Sequence, residues 1–162
     1  MEPLRIDVET WCNAPADFQL SSLRGRVVVL HTFQLLCPGC VMNAIPQVAR
    51  IEEAFAGAEL AVVGLHTVFE HHDAMHAGVL RAFLHEYRIH HPIGIDRTVP
   101  GQPVPSTMAR LGLRGTPSLL LLDRAGVERF RHFGGVDDLQ LGAAIGKLLA
   151  SPVKQGAGPE SI

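Results

Sequence analysis

Apolar residues arrive in short solid blocks separated by polar stretches rich in glycine and proline, and the blocks alternate between two periodicities. Val27 to Phe33 is apolar on both faces, which predicts a strand in the middle of a covered sheet. Leu60 to Leu65 and Ser118 to Leu122 read the same way, and Pro92 to Asp96 is a shorter strand. Between these blocks the spacing changes. Val79, Phe83 and Tyr87, with Leu80 and Leu84, recur at i, i+4 and predict an amphipathic helix. Leu141, Ile145, Leu148 and Leu149 mark a final helix. Pro38 stands where a first helical residue tolerates a missing N–H, so a helix is expected from there to about Ala56, bent at Pro46. Ser106 is placed to cap a short helix through Leu111. Asp123-Arg124-Ala125-Gly126 is a hairpin turn, with Val127 to Phe133 as its return strand.

The rest is connection. Residues 1–26 read as an irregular or hairpin lead-in, His66 to Asp73 as a polar loop and Pro100 to Pro105 as another. After Pro152 the chain turns polar and rich in glycine, and a disordered tail is expected over 151–162. Strands alternating with helices, closed by a hairpin and a helix, predict one α/β domain over 1–150: a three-layer α/β/α sandwich around a mixed sheet.

Composition narrows the functions. The 162 residues are 47% apolar and 19% charged, with a net charge of −2, an ordinary globular profile without the basic excess that nucleic acid requires. No apolar run is long enough for a membrane span. Met1 to Arg5 shows no basic segment leading into an apolar one, so a cytoplasmic setting is expected, with a signal-trimmed periplasmic protein as the alternative. Three cysteines are too few for a disulfide scaffold. Cys12 is expected as a small buried apolar side chain, the alternative being an intermolecular disulfide or an extra redox thiol.

The other two cysteines form Cys37-Pro38-Gly39-Cys40 directly after a buried strand. A thiol on the first turn of a helix lies in the positive potential of unpaired N–H groups, which favours its thiolate. A second thiol three residues on can close a disulfide with it, the arrangement that dithiol–disulfide exchange needs. Cys37 is the better placed nucleophile; Cys40 is the resolving thiol.

With that motif after one strand, and Gly115-Thr116-Pro117 before another, the chain resembles the thioredoxin fold, and within it the TlpA-like or redoxin thiol-disulfide oxidoreductases. The resemblance covers roughly residues 10–150. It implies a cis Thr116–Pro117 bond lying against the cysteine pair, and a substrate surface made by Leu36, Pro38, Gly39, Thr116 and Pro117. It implies a disulfide-containing protein or small molecule as substrate, a thiol electron donor such as a thioredoxin system, and no cofactor. His31, six residues before Cys37, occupies the place where thioredoxins usually carry a buried Asp that helps move the proton of the second cysteine. His66, after the second strand, is the other candidate for deprotonating Cys40. A neutral His31 bonded only to backbone is the plain alternative. Two departures stand out: Leu36 replaces the usual Trp, and Pro46 falls six residues after Cys40 where five is usual, so the kink is shifted or the helix contains an extra residue.

Two other functions share the fold. Peroxiredoxins place a Pro and a Thr before the peroxidatic cysteine, but Leu30 and Gln34, or His31 and Phe33 in a shifted register, fill those slots here, and Arg114 is out of register for the activating Arg. The stretch His66 to His76 concentrates four histidines with two carboxylates. With a helix starting near Asp73, His72 and His76 would share a face, and Cys37, Cys40 and His66 would offer a soft metal site. The copper-delivery Sco group has one more residue between its cysteines. A solvated polar loop is the simpler reading, and no metal ligand is assigned. A non-catalytic interaction domain is disfavoured by retention of both cysteines and of Thr116-Pro117.

Overall fold

The computed structural model describes residues 1–152, so the disordered tail expected over 151–162 lies, from 153 on, outside the described residues. Six strands form one sheet: β1 (Val8–Cys12), β2 (Val27–Phe33), β3 (Leu60–His66), β4 (Ile93–Asp96), β5 (Ser118–Leu122) and β6 (Glu128–Phe133). Their order is β1-β4-β3-β2-β5-β6. β2 pairs in parallel with β3, and β3 with β4; β5 runs antiparallel to β2 and to β6, and β1 antiparallel to β4. The helices are α1 (Ile45–Ala54), α2 (Ala77–Glu86), α3 (Ser106–Leu111) and α4 (Asp138–Ala150). This is the α/β/α sandwich with a mixed sheet that the alternation of blocks predicts.

Register sorts the core. Directly paired residues point to the same face of a sheet. Val29↔Val62, His31↔Gly64 and Phe33↔His66 therefore share one face, joined by Leu119 opposite His31. That face packs under α1, α2 and α4: Val48, Ile51, Leu141 and Ile145 cover Val29 and Val62, while Leu80, Leu84 and Ile45 surround Phe33 and Cys40. The opposite face carries Leu30, Val63, Leu65 and Leu120, covered by Leu4 and Leu20 of the N-terminal segment and by Leu111 of α3. Asp96 pins α3 to the sheet: its buried carboxylate accepts from the Thr107 and Met108 N–H groups at 2.8 and 3.0 Å and from Thr67 Oγ1 at 2.8 Å.

Three expectations fail in detail. The lead-in over 1–26 is not merely irregular or a hairpin, because Val8–Cys12 joins the sheet as an edge strand with Cys12 opposite Ile93. Glu9 and Thr10 are both exposed, so no apolar alternation advertises the strand. Its pairing comes from the free backbone edge of β4. The helix after Val79 does not extend back to Asp73: His72–Ala74 is an isolated 3₁₀ turn, and α2 starts at Ala77 with His76 as its N-cap. The chain is helical from Pro38, but Cys40–Ala44 is a π turn in which the Ile45 N–H reaches the Cys40 carbonyl. Pro46 then falls in the first turn of α1 rather than bending its middle. Pro46 has no N–H to give to Met42, and its ring would crowd that carbonyl in a regular helix. The wider turn absorbs both, and it is the extra residue that the six-residue spacing from Cys40 implies.

Candidate active site

Cys37 and Cys40 lie just beyond the C-terminal end of β2, the end to which the strand delivers Gln34. The chain turns there, the Cys37 N–H donating to the Gln34 carbonyl at 3.3 Å. Cys37 is partly exposed and Cys40 is fully buried. The two are joined as a disulfide. The Cys40 N–H lies 3.2 Å from Cys37 Sγ. An amide held against a sulfur at the start of a helix stabilises that sulfur as a thiolate once the disulfide is reduced.

The Thr116–Pro117 bond is cis, as the resemblance implies. The Thr116 carbonyl oxygen lies 3.5 Å from Cys37 Sγ. A Cβ on Gly39 would sit 3.4 Å from Pro117 Cδ, so the two residues are in direct contact and a branched side chain at 39 would push the proline away. Several bonds fix this loop. The Gly134 N–H donates to the Pro117 carbonyl at 2.8 Å, Ser118 Oγ to the Gly115 carbonyl at 2.8 Å, and the Ser118 N–H to Thr32 Oγ1 at 3.2 Å. Leu36 and Pro38 flank Cys37 in the chain and are exposed, as is Met42 at the groove beside Gly39, with Leu36 56% and Met42 73% exposed. Beside Gly39 and Pro117 opens a groove of about 550 Å³, lined further by Met42, Gln47, Arg50 and Gly134.

Gln34 escaped the sequence reading as a site residue. It is buried, its Nε2 lies 3.4 Å from Thr116 Oγ1, and its Oε1 accepts from the Phe69 N–H at 3.1 Å. It thus joins the cis-proline loop to the loop after β3. A buried-strand pattern that ends in an amide just before the cysteines is the signal that would have found it.

His31 and His66 lie on the same sheet face as Phe33, which packs in one cluster with Cys40, and neither hydrogen-bonds a sulfur. They flank Phe33, with ring centroids 5.4 and 5.3 Å from it. Burial, reinforced by the neighbouring His91, holds His31 well below its ordinary pKa. Burial alone lowers His66 to about 4. Both rings are therefore neutral near pH 7. His31 Nδ1 and His66 Nε2 are buried with no hydrogen-bond partner. His31 Nε2 meets a side chain, His91, rather than backbone.

The remaining candidates disperse. Cys12 is buried and free, and burial raises its thiol pKa. Arg114 lies over the Phe133 ring at 5.2 Å. His72 bonds the Pro103 carbonyl at 3.0 Å, and His76 stands at the N-cap position of α2 with no side-chain bond to the helix. Among the described residues no three His, Cys, Asp or Glu side chains are grouped to hold a metal ion.

No family model matches the chain. Solved structures do. A thioredoxin-like superfamily protein, SPOA0173, is 49% identical with a TM-score of 0.89, over 94% of this chain and 98% of that one. A thiol-disulfide isomerase from Corynebacterium glutamicum is 43% identical with a TM-score of 0.88, over 93% of this chain and 97% of that one. Protein DipZ of Mycobacterium tuberculosis is 30% identical over 129 residues, which is 78% of this chain but 17% of DipZ. The chain thus corresponds to a small part of that curated relative.

Proposed function

The chain belongs to the thioredoxin-like superfamily as a thiol-disulfide oxidoreductase, and from that membership we propose that Cys37 and Cys40 reduce or exchange disulfides by a two-step thiol relay. In the reduced protein the Cys37 thiolate attacks one sulfur of the substrate disulfide. The substrate S–S bond breaks, a mixed disulfide forms at Cys37, and the first substrate thiolate leaves. Cys40 then loses its proton and attacks Cys37 Sγ, expelling the second substrate thiolate. Two electrons pass from the dithiol to the substrate, and a thiol donor such as a thioredoxin system restores the dithiol.

The observation that carries this reading is the asymmetry of the pair: an accessible Cys37 with the Cys40 N–H against its sulfur, and a fully buried Cys40 behind it. Leu36, Pro38, Gly39, Thr116 and Pro117 form the surface that receives the substrate. The free backbone of Thr116 beside Cys37 supports docking of an extended segment. His31 and His66, neutral and each with one bare or unpaired ring nitrogen, are the proposed acceptors of the Cys40 proton. None of the helices among the described residues is long and apolar enough to cross a membrane. The proposed partners, on the likeness to thiol-disulfide exchange proteins, are the disulfide substrate and the thiol donor.

Insulin-disulfide reduction tests the mechanism. Cys37→Ser is expected to lose turnover altogether, and Cys40→Ser to accumulate mixed disulfides visible by mass spectrometry. Wild-type turnover in both variants would refute it.

A further inference from the structure

A line of side chains crosses from the surface of α1 to the middle of β2. Glu52 Oε1 is 3.1 Å from His91 Nδ1, and His91 Nε2 is 2.8 Å from His31 Nε2. Exposure falls along the line: the Glu52 side chain is 43% exposed, His91 7%, and His31 2%. The line is built rather than incidental. Asn13 Nδ2 donates to the Ile89 and His91 carbonyls at 2.8 and 3.2 Å, fixing the turn that presents His91. Gly64 leaves room for the His31 ring, since a Cβ there would sit 2.8 Å from His31 Nε2.

The contact between the two rings has a definite proton count. Two imidazole nitrogens at this distance share one hydrogen, because two bare lone pairs or two N–H groups would repel. When Glu52 holds the proton on His91 Nδ1, neutral His91 is bare at Nε2 and accepts from His31 Nε2–H. His31 Nδ1 is then a bare acceptor, buried and without a partner. As pure scaffolding this is a cost, since a buried acceptor left unpaired is destabilising. As the inner end of a proton path it is what the chemistry requires.

We propose that Glu52, His91 and His31 form a proton path between solvent and the core cluster that holds Cys40. The path rests on the reading of His31 as acceptor of the Cys40 proton. As the Cys40 sulfur attacks Cys37 Sγ, the proton it gives up passes through an intervening water to His31 Nδ1, which has no hydrogen-bond partner within the protein. The bond between Cys37 and the substrate sulfur breaks, and the substrate leaves as a thiolate that takes a proton from water. The His31 Nε2 proton passes to His91 Nε2, and the His91 Nδ1 proton passes to Glu52 and on to solvent. His91 and Glu52 are thus positioning and relay residues that act through His31. The other charged or titratable groups facing the line are Tyr87 and Arg88, which line the same cavity of about 180 Å³, and His66, on the same face of β3 as Gly64.

Rapid mixing of the reduced protein with a chromogenic aryl disulfide separates the steps. The first thiolate released reports attack by Cys37, and the second reports closure by Cys40. Glu52→Gln and His91→Ala are expected to slow the second phase roughly tenfold near neutral pH, and to change its pH profile, while the first phase is unchanged. Added imidazole is expected to restore His91→Ala and not Glu52→Gln. If both variants keep the wild-type second phase while His31→Leu slows it, the path is overturned and the role of His31 stands. If His31→Leu is also unaffected, both readings fail. Equal slowing of both phases in His91→Ala without imidazole rescue would show a structural role only and would likewise overturn the path.

Discussion

Acidification should weaken the fold through His66, by an amount the structure sets. Burial lowers its folded-state pKa to about 4, whereas an unfolded histidine titrates near 6.5. As the pH falls below the unfolded value, the unfolded chain takes up a proton that the folded protein refuses. Stability is therefore lost between about pH 6.5 and 4, and the loss stops once both states are protonated. Integrated from about pH 7 to 4, the effect is about 3 kcal/mol. The assay is urea unfolding of the oxidised protein at both ends of that range, for wild type and for His66→Leu. His31, also held neutral by burial, adds a loss of the same sign. Asp7 and Asp123, whose carboxyls are held below their ordinary pKa chiefly by Arg97 and Arg129, lose their contribution as the pH falls through their lowered folded values. All of these remain in the variant, so they cancel in the comparison. With a slope of about 2 kcal/mol per M, the wild-type midpoint should fall by roughly 1.5 M more than that of His66→Leu. Midpoints that fall in parallel would show that His66 titrates normally in the folded protein, and the reasoning from its burial would be wrong.

Other substitutions probe separate parts of the molecule. Gln34→Leu removes the acceptor of the Phe69 N–H and the contact to Thr116, so thermal unfolding should reveal a loss of about 2 kcal/mol, with slower insulin reduction as the cis-proline loop loosens. Asp96→Ala strands three donors in the interior, and chemical denaturation should register a loss of roughly 4 kcal/mol. Leu36→Asp combined with Met42→Lys breaks the exposed apolar surface around Cys37; kcat/KM should drop roughly tenfold for a protein disulfide and little for a small one, and equal losses for both would show that this surface does not select substrates.

Much of this architecture can be read from the chain because its strands announce themselves. Val27–Phe33 and Ser118–Leu122 are buried at every position, so a solid apolar block marks each, and the cysteines follow the first as Thr116-Pro117 precedes the second. Edge strand β1 is hidden because two adjacent residues of its five are exposed and its partner is some eighty residues away, beyond any local pattern. The same distance conceals the partner of His31. His31 and His91 are sixty residues apart and meet only because β3 and β4 bring the turn before Ile93 alongside β2. Glu52 reads as one more exposed helical carboxylate until the fold seats His91 against it. Gln34 was legible in principle, as an amide ending an apolar block, but its partners Phe69 and Thr116 come from two separate loops.

The π turn at Cys40–Ala44 has a consequence for how this helix tolerates change. An α-helix advances about 100° per residue, so a single insertion or deletion normally swings everything downstream around the axis. Here the added residue lies between the sulfur-bearing turn and the segment whose Val48 and Ile51 plug into the sheet. Deleting one residue from that stretch would let the wide turn close into a regular α turn, with the cysteines in place and Val48 and Ile51 still facing the sheet, whereas the same deletion further along α1 would turn its far end toward water. The slack between the chemistry at one end and the anchorage at the other is thus held in a single residue that contributes to neither.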